Sequence, residues 1–285
     1  MARDRIREGL GSRCGAVLLA GLAFGLAACA PAQPTAGNTA ARPTIVSLNP
    51  CLDAILVELA GPEQVRALSH YSHDPGSSSI PQAVAARYGV TGGTAEEVIA
   101  LKPDLVLASI YLPQPTRTAL TRAGLKVETF GSPTSIAESV EQVRQVARLT
   151  GHTAAGEALA TQIIEAPQSP LPPVSALLWQ PGEIVAGEAT LIAELLRQEG
   201  FTSHAARSGL GQADRVSLEW IIKHRPAVLL IAGDAAGQRH PLMKGAWKQM
   251  LIAEFDPSLI YCGGPTIPKA RARLREIRAR VEQMP

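Results

Sequence analysis

The sequence predicts an α/β fold of two like lobes joined by one long helix. Three observations predict it. Short β-branched runs alternate with helical patterns from Pro43 onward, a long amphipathic stretch divides the chain near its middle, and one segment recurs in register on either side of that stretch.

The chain opens with a segment that stands outside this fold. Arg3, Arg5, Arg7 and Arg13 outnumber Asp4 and Glu8 ahead of the apolar run Ala16 to Ala28, a basic n-region followed by an h-region. The run is shorter than the ~20 residues a spanning helix needs, which argues against a permanent transmembrane anchor. It ends in Leu26-Ala27-Ala28-Cys29, which resembles the bacterial lipobox, where the cysteine thiol takes a diacylglycerol and the chain is cut just before it. Residues 1–28 are therefore read as a lipoprotein signal peptide and Cys29 as the lipidated first residue of the mature chain. Residues 29–42 are rich in Ala, Pro, Thr, Gly and Asn and lack apolar periodicity, so they are read as a flexible tether.

An N-terminal α/β lobe is expected over 43–132, with strands at Thr44–Ser47, Val65–Leu68, Leu105–Ala108 and Val127–Phe130. Asn49-Pro50 marks the first helix start. Asn caps it and Pro takes the first helical position, where its missing N–H costs nothing, and the helix then runs through Leu52, Ile55, Leu56 and Leu59. A connecting helix is expected over 133–166, because Ile136, Val140, Val143, Val146, Ala147, Leu149, Ala155, Leu159, Ile163 and Ile164 recur at helical period. Gly151-His152 is where it would kink, since Gly weakens a helix interior by roughly 1 kcal/mol. A proline-rich stretch to Pro173 ends it. A C-terminal lobe over 174–285 is expected to carry strands near Ser175–Trp179, Val228–Ala232 and Leu259–Tyr261 and to close with the basic helix Lys269 to Gln283.

The recurrence ties the lobes together. Thr94 to Leu107 can be laid without a gap on Ser217 to Leu230, an offset of 123 residues that pairs Glu96 with Glu219 and Pro103 with Pro226. Each copy reads as a hydroxyl N-cap, a short helix with Glu in its first turn, a Pro that ends it and a buried strand. Glu97, three residues after Thr94, is the capping-box residue.

Removing residues 1–28 takes four basic and two acidic residues from totals of 27 and 25, leaving 23 of each. Zero net charge gives no electrostatic footprint for nucleic acid. Cys14 leaves with the signal and Cys29 is consumed by lipid. Only Cys51 and Cys262 remain, too few for a disulfide framework. No Gly-x-Ser-x-Gly elbow, Gly-x-x-x-x-Gly-Lys phosphate loop or His-Glu-x-x-His is present, so no catalytic residue is assigned and an enzyme is not expected.

The residues resemble the iron-chelate and vitamin B12 class of periplasmic substrate-binding proteins of ABC importers. The resemblance runs from Pro43 to the C-terminus. It is carried by Ile45-Val-Ser-Leu-Asn-Pro50, Tyr71-Ser-His-Asp-Pro75, Gly93 to Asp104, the connecting helix, Ala186-Gly187 and Val216-Ser-Leu-Glu219. It implies two Rossmann-like α/β lobes bridged by a single long helix, with a ligand cleft between the lobes. It also implies capture of a metal chelate (cobalamin or another corrinoid, a ferric siderophore, or haem) on the periplasmic side of a bacterial envelope, and delivery to an ABC permease. The protein would act as a monomer, touch the membrane through its lipid anchor only, carry no cofactor of its own and do no chemistry on a cobalt- or iron-containing ligand.

In that family one exposed Glu per lobe docks on the permease, and the matching positions are Glu96 and Glu219. Tyr71, Tyr111 and Trp179 follow strand ends that would face the cleft and are assigned to ligand binding. The family's vitamin B12 binders carry tryptophans where this chain has Val90, Ser109 and Ala213, a departure that counts against cobalamin specifically. Trp220 and Trp247 are expected in the core, and Gly209-Leu-Gly211 at the cleft edge. His70 and His73 with Asp74 offer a zinc-type donor set, so a free-metal binder is one rival; a sensing or structural lipoprotein is another. The family's loop explains that histidine pair, and no metal site is assigned. Because Cys51 and Cys262 fall in different lobes, a bond across the cleft would hinder opening, so two free thiols are expected.

Overall fold

The computed structural model describes residues 42–164, 169–234, 236–241 and 250–284. The signal peptide, Cys29, Trp247 and all of the tether but Arg42 lie outside the described residues. The described residues carry two parallel sheets. The first contains β1 (Ile45–Ser47), β2 (Val65–Ser69), β3 (Val90–Thr91), β4 (Leu105–Ser109) and β5 (Lys126–Phe130) in the order β3-β2-β1-β4-β5. The second contains β6 (Val174–Trp179), β7 (Phe201–Ser203), β8 (Val228–Ile231) and β9 (Leu251–Glu254) in the order β7-β6-β8-β9. Without the edge strand β3, the two orders are the same, and the chain folds as two like α/β lobes.

In β1, β4, β6 and β8 successive residues alternate between two packing faces, as parallel strands covered on both sides must, whereas the irregular β1–β2 pairing leaves Val65 and Leu68 of β2 in the same core. Ile45, Leu105, Leu107, Ala176, Leu178, Val228 and Leu230 point into one core shared by the lobes. Val46 and Val106 point to a second core within the N-lobe, and Leu177, Trp179 and Leu229 to a third within the C-lobe. The shared core is filled by α1 (Pro50–Leu59), α5 (Ile136–Thr150), α6 (Thr153–Ile164) and the last helix, α10 (Thr266–Glu282).

The repeat is borne out residue for residue. Helices α3 (Ala95–Leu101) and α9 (Leu218–His224) are capped by Thr94 and Ser217, each accepting from the amide three residues on. Lys102 and Arg225, 123 residues apart, both end their helix in the left-handed region, at φ 48° and 41°, just before Pro103 and Pro226. The Glu97 carboxylate accepts from the Thr91 hydroxyl and the Gly92 amide, bracing the loop that leads into α3, and these bonds, with the Gly93 and Thr94 amides, hold its pKa down.

Two expectations are corrected. The single connecting helix over 133–166 is a helical hairpin: Gly151 takes φ 78°, α5 ends there, and α6 folds back on it. The two helices approach so closely that a Cβ on Gly156 would meet the Cβ of Ala147 at 2.2 Å. The strand expected at Leu259–Tyr261 is a turn. Asp256 Oδ1 accepts from the Ser258 amide and Pro257 opens a short 3-10 turn, the same Asx-Pro signature that starts α1. The fourth C-lobe strand is β9.

The basic closing helix turns much of its charge inward. Arg271 is 2% exposed and reaches the Ile163 carbonyl and Gln198, while Arg278 donates to the Pro172 carbonyl at 2.8 Å. Glu199, also buried, takes an Arg275 Nε donor at 3.1 Å. These pairs fix α10 to the ends of α6 and α7 (Leu191–Gln198). Desolvation raises the Glu199 pKa, against the pull of Arg275 and Arg271.

Candidate ligand cleft

Ligands of open parallel sheets bind beyond the strands' carboxyl ends, where the strand order reverses. Here those points are the ends of β1 and β4 in one lobe and of β6 and β8 in the other. A cavity of about 300 Å³ lies there between the lobes. The N-lobe supplies Asn49, Cys51, Leu52, the segment 130–134 after β5, and Gln142 of α5. The C-lobe supplies Leu178, Gln180, Ile184 to Ala186, Thr190 to Ile192, Leu195, Gln212 and Ala213. The floor is Leu259 to Gly263, a strap that leaves β9 and crosses beneath α1.

Among these lining residues none is charged. Polar chemistry comes from the carboxamides of Asn49, Gln142, Gln180 and Gln212 and from the hydroxyls of Ser132, Thr134, Thr190 and Tyr261. Asn49 spends its Oδ1 on the Cys51 and Leu52 amides, and Gln142 donates to the Gly131 carbonyl at 2.9 Å. The side chains of Gln180 and Gln212 make no hydrogen bond among the described residues. Gly187 places Gln212: a Cβ there would meet the Gly211 carbonyl carbon at 2.5 Å, so only glycine lets the 209–212 loop close onto the Ala186-Gly187 turn. This explains both sequence features and puts Gln212, which sequence reasoning passed over, at the cavity wall.

The proposed ligand residues divide. Tyr71 and Tyr111 are exposed, at 48% and 79%, on the carboxyl edge of the N-lobe sheet, outside the cavity lining. The Tyr71 ring lies on that of His70, centroids 4.0 Å apart. Trp179 is corrected: it is 1% exposed and its Nε1 donates to the Val216 carbonyl at 3.1 Å. Strand alternation is the reason, since Leu178 faces the cavity and its neighbour must face the opposite side. Tyr261, assigned to a strand from sequence, lines the cavity together with Phe130 at the end of β5. Desolvation raises its hydroxyl pKa, helped by Asp256 and Asp74. Trp220 is half-buried against the third core and stacks on His224 at 4.1 Å.

Cys51 and Cys262 are joined as a disulfide, which corrects the expectation of free thiols. Cys262 has already crossed to the N-lobe on the strap, held there by Ser79 Oγ donating to the Ser258 carbonyl and the Gly264 amide donating to Ser139 Oγ. The bond therefore lies in the cavity floor and does not span the cleft mouth.

Asp53 was also passed over. It is fully buried in α1, and its Oδ2 accepts from the Ser69 amide at 2.9 Å and from the Ser69 and Ser72 hydroxyls at 2.7 Å, while Oδ1 has no partner. Desolvation pushes its pKa up to about 7 against the opposing hydrogen bonds. Its pattern signal was an acidic residue on the apolar face of a helix.

Of the zinc-type set, Asp74 is engaged locally: its carboxylate accepts from Ser77 Oγ and the Gly76 amide, which lowers its pKa. Among the described residues no group of three His, Cys, Asp and Glu could hold a metal ion, and no helix is long and apolar enough to cross a membrane. Glu96 and Glu219 are both exposed in the first turns of α3 and α9, at the carboxyl edges of their sheets, and neither makes an ion pair among the described residues. The Ser217 hydroxyl lowers the Glu219 pKa, with a smaller pull from His240.

A family described as periplasmic binding protein matches residues 45–245. Cobalamin-binding proteins from two strains of Halobacterium salinarum are 34% identical over 141 residues, which is 46% of this chain and 37% of each relative. The match thus spans little more than a third of those relatives' length. A periplasmic haem-binding protein of Vibrio cholerae aligns with a TM-score of 0.67 at 16% identity, over 82% of this chain and 98% of that one. A periplasmic vitamin B12 binding protein of the same organism gives 0.60 at 19%, over 85% and 98%. A possible iron-binding protein of Staphylococcus epidermidis gives 0.65 at 20%, over 83% and 99%. At these identities the solved structures share the fold alone.

Proposed function

The chain belongs to the periplasmic binding protein family, and on that premise we propose that it captures a corrinoid of the cobalamin type in the cell envelope and passes it to an ABC permease. The observation that carries the ligand class is the uncharged, carboxamide-rich cavity. Haem brings carboxylates and ferric siderophores commonly bring net negative charge; burying either calls for cationic partners, because an unpaired buried charge is costly. A free divalent ion calls for carboxylate, thiolate or imidazole donors. A corrinoid carries neutral carboxamides around its ring, and the carboxamides of Gln180 and Gln212 offer a donor and an acceptor each.

A cavity of about 300 Å³ stands at the lower limit for small-molecule pockets, too small to enclose a whole corrinoid. The ring would therefore enter edgewise, with the rest resting on the N-lobe edge that carries Tyr71 and Tyr111. Tyr261, Ile184 and Leu191 would supply the apolar wall that the replacements at Val90, Ser109 and Ala213 take away. Glu96 and Glu219 would dock on the permease, and Cys29 would hold the protein at the membrane through lipid.

The double variant Gln180→Glu with Gln212→Glu tests the ligand class. It should weaken cyanocobalamin binding at least tenfold in a titration while leaving the thermal midpoint in place, because it puts two charges where the ligand offers none. Unchanged affinity would remove the carboxamide argument.

A further inference from the structure

The floor of the cavity holds a covalent bond that ligand capture alone does not require. Cys51 is the second residue of α1, and Cys262 belongs to the strap that supplies five cavity-lining residues. We propose that the Cys51–Cys262 disulfide is a redox latch: oxidised, it holds the strap of residues 257–264 against α1 as the cavity floor; reduced, it frees the strap and lowers ligand affinity. The strap half of this proposal stands by itself, and the ligand half rests on the corrinoid reading above.

The strap is tied at its ends, Leu259 and Ile260 rest partly buried on the shared core, and the Cys262 carbonyl accepts from Thr266 Oγ1 at 2.6 Å. Ser258 is tied to Ser79 and Gly264 to Ser139, while the Ile260 and Tyr261 amides bond back to Pro257 within the strap itself. Residues 257–260 are only half-buried and Tyr261 is exposed. Between these anchors the covalent link to α1 is the disulfide. Two thiols cannot remain at bonding separation, so reduction must move one of them. Cys51 is fixed in the first helical turn, with its amide donating to the Asn49 cap at 2.9 Å. The strap is the partner free to shift, and it shifts where it forms the cavity floor.

Because both cysteines line the cavity, a reductant reaches the bond through an empty cleft, and a seated ligand covers it. The reaction is ordinary thiol–disulfide exchange: a dithiol attacks, its own S–S bond forms, and two electrons and two protons convert the Cys51–Cys262 bond to two thiols. Linkage then fixes the reciprocal effect. If reduction weakens ligand binding tenfold, ligand must favour the oxidised form tenfold and lower the disulfide's reduction potential by about 30 mV.

Hydrogen exchange of the purified protein with and without dithiothreitol is the test. Reduction should speed exchange of the amides from Ser258 to Gly264 at least tenfold while β1, β4, β6 and β8 stay protected, and Cys51→Ser with Cys262→Ser should reproduce the pattern. Unchanged strap exchange would overturn the latch. So would exchange rising equally in the sheets, because the bond would then be a general staple of the fold. Cyanocobalamin titrated against both forms gives the second readout: tenfold weaker binding after reduction is expected, and equal affinity would overturn the latch as a control on the site. If the oxidised protein fails to take cyanocobalamin at all, the corrinoid reading fails, and strap exchange alone decides the latch.

Discussion

Asp53→Asn isolates one buried ionisation. In the folded protein the Asp53 carboxyl is pushed up to about 7 from 3.8, because burial disfavours its charged form more than Ser47, Ser72 and Ser69 favour it. Between those values the native state keeps a proton that the unfolded chain has lost. The stabilisation is thus fully present below 3.8 and drains away as pH rises through 7, the reverse of the usual carboxylate. A rise of about three pH units is worth on the order of 4 kcal/mol at ~1.4 kcal/mol per unit. Asparagine is isosteric, can accept the same three hydrogen bonds at its oxygen and does not ionise. The variant should match the parent near pH 4 and exceed it in stability by a few kcal/mol at pH 8. Urea unfolding of both proteins from pH 4 to 8 measures this. Only the difference is read, because Asp74, Glu97, Asp104 and Glu138, whose pKa values are lowered, titrate identically in both. A difference that stays constant with pH would refute a raised pKa at Asp53.

Three further perturbations separate structural from functional roles. Trp179→Phe should cost about 1–3 kcal/mol by leaving the buried Val216 carbonyl without its donor and should leave ligand affinity unchanged, since Trp179 does not line the cavity; calorimetric unfolding and titration check both. Glu96→Ala with Glu219→Ala should abolish uptake by cells or proteoliposomes holding the cognate permease while ligand binding persists, and normal uptake would end the docking role. Cys29→Ser should abolish acyl labelling and membrane retention of a folded protein, whereas continued acylation would remove the lipobox assignment.

What could be read from sequence followed from local rules. The Asn49-Pro50 cap, the paired Thr94 and Ser217 caps and the apolar strands β1, β4, β6 and β8 are each set by neighbours in sequence. The two-lobe design follows from them through the repeat. What was missed depended on partners far away. Strands β3 and β7 have only two and three residues, too few for a periodic signal, and form because β2 and β6 offer open edges. Leu259-Ile-Tyr261 looks like a strand, yet Asp256-Pro257 diverts it into the strap. The face of Trp179 was readable from alternation once Leu178 was known to face the cleft. The Cys51–Cys262 pairing was not readable, because placing Cys262 beneath α1 requires the path of the strap. The cavity's carboxamides come from four separate segments, and no sequence spacing brings them together.

The central claim is that this cleft takes a neutral, carboxamide-rimmed chelate, and direct titration of the protein with cyanocobalamin, haem, a ferric siderophore and Zn²⁺ tests it most plainly. The account predicts saturable one-to-one binding of cyanocobalamin, with a stabilisation near 2.7 kcal/mol at about a hundredfold excess over the dissociation constant, and no comparable effect from the other three. Tight binding of haem or the ferric chelate, with cyanocobalamin inert, would contradict it.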